Sequence, residues 1–161
     1  MNRAKYIRLA AIAGSIVVLD QIVKAVIKRM IPLYHSITVI PGFFDLSHIQ
    51  NPGGAFGLLS DQNPVIRVIV FIVLASVAVG MIFYMYCQTD ESLPFLAAGL
   101  AMIMGVAVGN LIDRIRFGRV VDFLDFYIGT LHWPSFNVAD SSVFIGTAIF
   151  LFHLVFNKIP K

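Results

Sequence analysis

Four long apolar stretches constrain what this chain can fold into. They cover about residues 7–30, 64–87, 94–112 and 140–157, and each is close to the roughly 20 residues that carry an α-helix across a bilayer. The links between them are too short to build a soluble core of any size. The sequence therefore predicts one integral membrane domain, residues 1–161, that is a mainly α, polytopic membrane protein with four transmembrane helices.

The composition supports a membrane protein and argues against two other classes. Apolar residues make up 58% of the chain, and the mean hydropathy of +0.85 lies outside the range of soluble domains. The net charge of +3 is modest and its basic residues are scattered, which favours lipid headgroups over nucleic acid as a partner. Cys87 is the single cysteine, and the four histidines lack metal-ligand spacing. We expect no metal and no cofactor.

The start of the chain has some character of a signal peptide. Arg3, Lys5 and Arg8 precede an apolar run, as in the basic region of a secretory signal. However, no small-residue cleavage site follows, and Asp20 interrupts the run. We therefore expect a first helix that is retained.

An even number of spans puts both termini on one side of the membrane. The two long links, residues 31–63 and 113–139, then lie together on the other side. The first link alternates apolar and polar residues around 36–40 and 43–49, between Pro-Gly turns, which predicts a small β-rich element. The link 113–139 is dense in aromatic residues, as is typical of the interfacial belt.

The positive-inside rule leaves the orientation of the chain open. Basic residues near both termini favour cytoplasmic termini. A similar number of basic residues lies on or near the opposite face, namely Lys28, Arg29, Arg67, Arg114, Arg116 and Arg119. The two sets nearly balance.

Asp122 and Asp140 are the leading candidates for catalysis. An ionisable group in or beside a bilayer is costly and is a functional candidate for that reason. The hairpin of spans three and four brings both aspartates to one membrane face, where a close pair would share one proton. Such a pair can activate water and polarise a carbonyl without a metal. The alternative is a pair of loop aspartates that nearby arginines neutralise, and spacing alone does not decide between the two.

Other polar residues flank the apolar spans at helical spacing. Asn110, Asp113 and Arg114 share one helix face, so they predict either a polar network or a helix cap with its own ion pair. Asn137 precedes Asp140 by three residues and is also a candidate N-cap.

Two residue pairs within the predicted spans are best explained by structural roles. Asp20 and Lys24 lie four apart, so they can neutralise each other while Lys24 extends outward along the helix. Gly105 and Gly109 form a small-xxx-small motif, which allows close helix packing inside the chain or in a dimer. Internal packing is the more common meaning, so we expect a monomer.

Two other functions place carboxylates at a membrane face. Lipid-headgroup phosphotransferases bind a metal with aspartates at a spacing related to Gly118-x-x-x-Asp122. Here the next aspartate, Asp125, comes one residue too early for that pattern. A proton-coupled transporter also uses intramembrane carboxylates, but four spans without an inverted repeat argue against it.

Five blocks of sequence together resemble the lipoprotein signal peptidases (signal peptidase II), the intramembrane aspartyl proteases of bacteria. The similarity covers nearly the whole chain, and the order of the later blocks is highly specific. The blocks are Asp20-x-x-x-Lys24, Asn51-Pro-Gly-Gly-Ala-Phe56, Gly109-Asn-Leu-Ile-Asp-Arg114, Gly118-Arg-Val-Val-Asp-Phe123 and Phe136-Asn-Val-Ala-Asp140.

The resemblance implies a role for each matching residue. Asp122 and Asp140 would be the catalytic pair, whereas Asp125 is not at the catalytic position. Asp20 and Lys24 would be structural support. Residues that would bind substrate or support the site are Asn51, Gly53, Asn110, Asp113, Arg114 and Asn137.

The resemblance also implies a substrate and a location. The substrate would be a diacylglyceryl-modified prolipoprotein, cut on the N-terminal side of its lipobox cysteine. The chain would lie in the bacterial inner membrane with both termini cytoplasmic, in contact with membrane lipid, and with the β-rich element and the active site at the outer face. The Gly-rich part of the first link, residues 51–57, would approach the substrate backbone.

Overall fold

Four long helices and one small sheet form the part of the chain, residues 3–53 and 63–156, that the computed structural model describes. All four helices are long and apolar enough to cross a membrane. They are α1 (Arg3–Met30), α2 (Pro64–Gln88), α3 (Pro94–Phe117) and α4 (Val138–Val155). The mainly α, polytopic fold that the sequence predicts is confirmed.

The ends of the helices follow from local sequence. Pro64 and Pro94 occupy first-turn positions, where a missing N–H costs nothing. Asn63 caps α2 by accepting a hydrogen bond from the Val65 N–H at 2.9 Å. Helix α3 continues five residues past the predicted end and stops at Gly118, whose φ of 68° suits glycine. Polar residues just beyond the predicted span are therefore helical.

Helix α3 lies at the centre and packs against the other three helices. Its glycines permit this. A Cβ on Gly105 would lie 2.9 Å from the carbonyl oxygen of Ala13 in α1. A Cβ on Gly146 of α4 would lie 2.7 Å from the carbonyl oxygen of Gly99 in α3. The face containing Gly105 thus packs inside the chain, as small residues in membrane helices commonly do.

The sheet has four antiparallel strands in the order β1-β2-β3-β4. The strands are β1 (Ser36–Ile40), β2 (Phe44–Asn51), β3 (Val120–Ile128) and β4 (Leu131–His132). The sequence predicts β1 and β2 within two residues at each end. It does not predict β3 or β4, because the first four residues of β3 are all buried and show no polar alternation.

The buried start of β3 joins the sheet to the helices. Val121 and Phe123 pack against Ile27 and Ile31 at the end of α1. This contact places Asp122, between them in sequence, at the level where the helices end. Most of the Gly-rich segment predicted to approach a substrate, residues 54–57, lies outside the described residues.

Candidate active site

Asp122 is a buried carboxylate on β3, opposite Ile49 of β2. One oxygen accepts a hydrogen bond from the side-chain amide of Asn51 at 3.1 Å. The other accepts from the side-chain amide of Asn137 at 2.9 Å. Two neutral donors therefore hold Asp122 without a direct cationic partner.

Asp140 lies in the first turn of α4 and forms a capping box with Asn137. The Asn137 N–H donates to Asp140 Oδ2 at 3.1 Å, and the Asp140 N–H donates to Asn137 Oδ1 at 3.0 Å. Asn110 donates to Asp140 Oδ1 at 3.3 Å. Asn137 is thus the N-cap of α4, and its side-chain amide also links this helix end to Asp122.

One cavity of about 300 Å³ is lined by both aspartates. Six further residues of the five sequence blocks contribute to its wall, and three consecutive residues after β4, Trp133 to Ser135, complete it. The wall comprises Asn51, Gly53, Asn110, Arg114, Val120, Asp122, Asp140 and Trp133 to Phe136. The segment from Trp133 was not predicted; its proximity to the Phe136-Asn-Val-Ala-Asp140 block was the available signal. Strands β2 and β3, the end of α3 and the start of α4 therefore enclose one cavity.

Burial sets the acidity of Asp122. Removal from water raises its pKa to about 6, and the negative charge of Asp140 acts in the same direction. The hydrogen bonds from Asn51 and Asn137 stabilise the ionised form and partly oppose this rise. The two carboxyl groups are thus close enough to influence each other, as a shared-proton pair requires.

Arg114 lines the cavity together with both aspartates, and its positive charge acts on each of them. The guanidinium of Arg114 lies 5.4 Å from the ring of Phe71 and donates to the backbone oxygen of Asn110 at 3.2 Å. Within residues 3–53 and 63–156, the salt bridges on aspartates involve Lys24 and His132 instead. A direct salt bridge from an arginine to Asp122 or Asp140 is thus absent among the described residues, whereas the longer-range charge of Arg114 acts on both aspartates.

A buried ionic cluster lies directly below the cavity. The ammonium of Lys24 is 2.7 Å from a carboxylate oxygen of Asp20 and 2.7 Å from one of Asp113. All three side chains are at most 2% exposed. The expectation that Lys24 extends outward is wrong, because α3 supplies a second carboxylate that holds the ammonium inside. Asp113 likewise pairs with α1 rather than with its neighbour Arg114.

The ionic cluster also orients Asn110. Lys24 donates to Asn110 Oδ1 at 3.1 Å, which leaves the amide NH₂ to donate to Asp140. Gln21, which sequence reasoning missed, donates to Asp113 at 2.9 Å. Its position one residue after Asp20 was the only signal. A continuous path of polar contacts thus connects the ionic cluster with Asp140.

Gly53 supports the site through its backbone. Its N–H donates to Asn51 Oδ1 at 3.0 Å, which turns the Asn51 amide NH₂ toward Asp122. The position of Gly53 in the cavity wall leaves no side chain between this backbone and a ligand.

Asp125 lies apart from the cavity wall. Its carboxylate is 3.0 Å from Nδ1 of His132 on β4, on an exposed part of the sheet. In the described ranges, no group of three or more His, Cys, Asp or Glu side chains is arranged to hold a metal ion. Asp122, rather than Asp125, is the β3 carboxylate that lines the cavity.

Comparison with known proteins finds one family across nearly the whole chain. The model for "Signal peptidase (SPase) II" matches residues 12–156. A lipoprotein signal peptidase of Desulforapulum autotrophicum is 49% identical over 99% of both chains. One of Geobacter sulfurreducens is 45% identical over 87% of this chain and 86% of its own.

Two solved structures share the fold. Each is a bacterial membrane enzyme solved by the in meso method. The one at 2.3 Å resolution has a TM-score of 0.82 and 30% identity, covering 93% of this chain and 88% of its own. The one at 1.9 Å has a TM-score of 0.78 and 31% identity, covering 91% of both chains. Fold and sequence therefore point to the same group of proteins.

Proposed function

This chain belongs to the signal peptidase II family, and from that membership we propose that Asp122 and Asp140 form the dyad with which it hydrolyses its substrate. The chain is a bacterial multi-pass membrane protein of an aspartic peptidase family, and it removes signal peptides from lipoproteins. Membership of this family argues against the two alternative functions, a lipid-headgroup phosphotransferase and a proton-coupled transporter.

One observation carries the proposal. Asn137 donates through its side chain to Asp122 and through its backbone to Asp140. Both carboxyl groups line the same cavity. One residue thus fixes the position of both acids relative to each other, and such fixed geometry is what a two-carboxylate mechanism needs.

The surroundings of the two acids assign their roles. Asp122 is 5% exposed, and burial favours its protonated form. Asp140 lies in the first turn of α4, where its carboxylate accepts hydrogen bonds from the Asn110 amide and the Asn137 N–H. Asp122 is therefore the acid and Asp140 the base.

The reaction follows from these roles. Asp140 takes a proton from a water molecule, and the resulting hydroxide attacks the scissile carbonyl carbon while Asp122 donates a hydrogen bond to the carbonyl oxygen. Collapse of the tetrahedral intermediate breaks the C–N bond, and the proton held by Asp140 passes to the departing amine. Arg114 adds positive charge to the cavity wall, which stabilises the oxyanion.

The substrate is a prolipoprotein whose lipobox cysteine already carries diacylglyceryl, cut on the N-terminal side of that cysteine. A cavity at the ends of apolar helices supports this assignment, because an apolar signal helix and two acyl chains reach it laterally from the bilayer. Asn51 and Gly53 border the place where the substrate backbone would lie. The sheet then lies over the lipid-modified residue.

We assign the cavity to the outer face of the inner membrane and both termini to the cytoplasm. The end of α1, the start of α2, the end of α3 and the start of α4 all adjoin the sheet or the cavity. Lipoprotein precursors expose their cleavage site on the outer side, so the dyad belongs there. The chain acts as a monomer, and its partners are the precursor and membrane lipid, not nucleic acid.

The test uses purified full-length protein and a synthetic lipobox peptide with a diacylglyceryl cysteine. Mass spectrometry should show one cut, directly before the modified cysteine. The matched control is the same peptide with an unmodified cysteine, which should remain intact. Equal cleavage of both peptides would contradict the proposed substrate.

A chelator addresses the dyad mechanism separately. Hydrolysis by two carboxyl groups should proceed unchanged in its presence. Activity that a chelator removes and a divalent metal restores would contradict the mechanism, whatever the substrate.

A further inference from the structure

Two cationic side chains meet over one aromatic ring at the end of α1 and α3 that adjoins the sheet. The ammonium of Lys28 lies 4.2 Å from the ring centroid of Phe117. The guanidinium carbon of Arg116 lies 4.9 Å from the same centroid. Lys28 belongs to α1 and the other two to α3, so tertiary packing creates this arrangement, which we call the cationic clasp.

The clasp has an unbalanced charge. Lys28, Arg116 and Phe117 are all exposed, the ring by 42%. The aspartates that form salt bridges in the described ranges pair with Lys24 and His132. Within those same ranges, neither clasp cation forms a salt bridge with a carboxylate. The aromatic face attracts each cation but offsets only part of their mutual repulsion. An anion between the two would complete the site.

The clasp also accounts for part of an unusual charge distribution. With the orientation proposed above, six basic residues lie on or near the outer face, about as many as lie near the termini, where the positive-inside rule would place the excess. Arg114 lines the catalytic cavity, and Arg119 donates to Gln50 at 2.8 Å. Lys28 and Arg116 serve neither of these purposes, since neither lines the cavity.

Exposed apolar residues also occur on the two helices that form the clasp. On α1, Val18 and Ile22, which lie deeper in the span, are 58% and 55% exposed. Ile115, next to Arg116, is 63% exposed. In a membrane such residues contact acyl chains, while the clasp lies at headgroup level. A ligand with an anionic head and apolar tails matches both parts.

We propose that Lys28 and Arg116, which both contact the ring of Phe117, bind the phosphodiester of an anionic glycerophospholipid from the outer leaflet. The non-bridging phosphate oxygens accept hydrogen bonds from the ammonium and the guanidinium, as phosphate groups do from Lys and Arg elsewhere. The acyl chains then run along the exposed apolar residues of α1. This site lies outside the catalytic cavity and is independent of the dyad.

The test counts phospholipid molecules retained by the purified full-length protein. The protein is reconstituted in nanodiscs of phosphatidylcholine with a minor fraction of phosphatidylglycerol, then released for native mass spectrometry. Wild-type protein should retain phosphatidylglycerol in preference to phosphatidylcholine. Lys28→Gln with Arg116→Gln should weaken this retention roughly 30-fold, about fivefold for each cation near the membrane surface.

Two control variants isolate the clasp from total charge and from folding. Arg3→Gln with Arg8→Gln removes the same charge from exposed positions at the other end of α1 and should not change retention. Lys28→Arg with Arg116→Lys keeps both charges and should retain phosphatidylglycerol. The inactive variant Asp122→Asn should also retain it, which separates this proposal from the proposed function.

Three results would overturn the proposal. The first is unchanged retention after loss of Lys28 and Arg116 in protein with an unchanged Tm. The second is an equal loss with the Arg3 and Arg8 control, which would mean general surface charge. The third is displacement of the lipid by inorganic phosphate at similar concentration, which would indicate a site for the free ion instead.

Discussion

Asn137 donates its side-chain amide to Asp122 at 2.9 Å, and the same side chain caps helix α4. The start of a transmembrane helix and the orientation of a carboxyl group on the sheet therefore depend on one residue. Because Asp140 belongs to the same capping box, the relative position of the two acids is part of the fold rather than of a mobile loop.

Replacement of Asn137 should separate its two roles. Asn137→Ala should lower kcat/KM at least about 100-fold, as expected when a reacting group is misplaced by about 1 Å. It should also lower the free energy of unfolding by about 1 kcal/mol, because the N-cap is lost. Asn137→Ser keeps a capping oxygen but is too short to reach Asp122. It should recover most of the stability and little of the activity, measured by Tm and by peptide cleavage.

The cap of α2 provides a matched control. Asn63→Ala removes a similar N-cap hydrogen bond, to Val65, away from the cavity. It should lower Tm by a comparable amount and leave kcat/KM near the wild-type value. If Asn63→Ala and Asn137→Ala lost activity equally, the link from Asn137 to Asp122 would have no catalytic significance.

The raised pKa of Asp122 should appear in the pH dependence of stability. The folded state holds this proton until about pH 6, whereas the unfolded state releases it near the ordinary pKa of an aspartate, 3.8. Stability therefore falls as pH rises through this window. Between about pH 4 and about pH 7, wild type should lose on the order of 2–3 kcal/mol more than Asp122→Asn, as a shift of about two pKa units implies. Parallel Tm profiles would contradict the raised pKa.

Asn51 should control the pH at which activity is lost. Its amide stabilises the ionised form of Asp122, so Asn51→Ala should raise the pKa of that carboxyl further. Since Asp122 must be protonated to act as the acid, the alkaline limb of the kcat/KM profile should move to higher pH. Gln50→Ala, which removes a contact to Arg119 instead, is the control and should leave the limb in place. If instead the acidic limb moved to higher pH while the alkaline limb stayed in place, Asp122 would be the base and the assigned roles would be reversed.

Loss of Lys24 should destabilise the whole protein. Lys24→Met leaves Asp20 and Asp113 as buried carboxylates without a cation, at a cost of about 3–5 kcal/mol. Lys28→Met, one turn later on the same helix, removes an exposed ammonium and should leave Tm nearly unchanged. Thermal unfolding in detergent compares the two. Equal effects would mean that the ionic cluster does not stabilise the fold.

Much of the helical fold could be predicted because hydropathy alone determines it. Each span must satisfy its backbone groups internally in lipid, so length and composition give the helices. The first two strands followed from alternation and Pro-Gly turns. Strand β3 was missed because Val120 to Phe123 are buried together, with no polar residue facing solvent to reveal a period of two.

Part of the cavity wall could be named from the sequence, but the wall segment that begins at Trp133 and the contacts between side chains could not. Spacing brought Asp122 and Asp140 to one face, and the resemblance to a family favoured Asp122 over Asp125. The partner of Lys24 was not predictable, because Asp113 lies 89 positions away on another helix. Only helix packing, with Gly109 beside Asp20, brings these charges together.

The most direct measurement compares cleavage of a diacylglyceryl lipobox peptide by purified wild type, Asp122→Asn, Asp140→Asn and Asp125→Asn. The dyad predicts that the first two variants lose activity by about 10³-fold or more, because each removes one half of an acid–base pair, while remaining folded by Tm. Asp125→Asn, which loses only a contact with His132 on the exposed sheet, should keep most of the wild-type activity. Substantial cleavage by either Asp122→Asn or Asp140→Asn, or an inactive Asp125→Asn, would contradict the dyad.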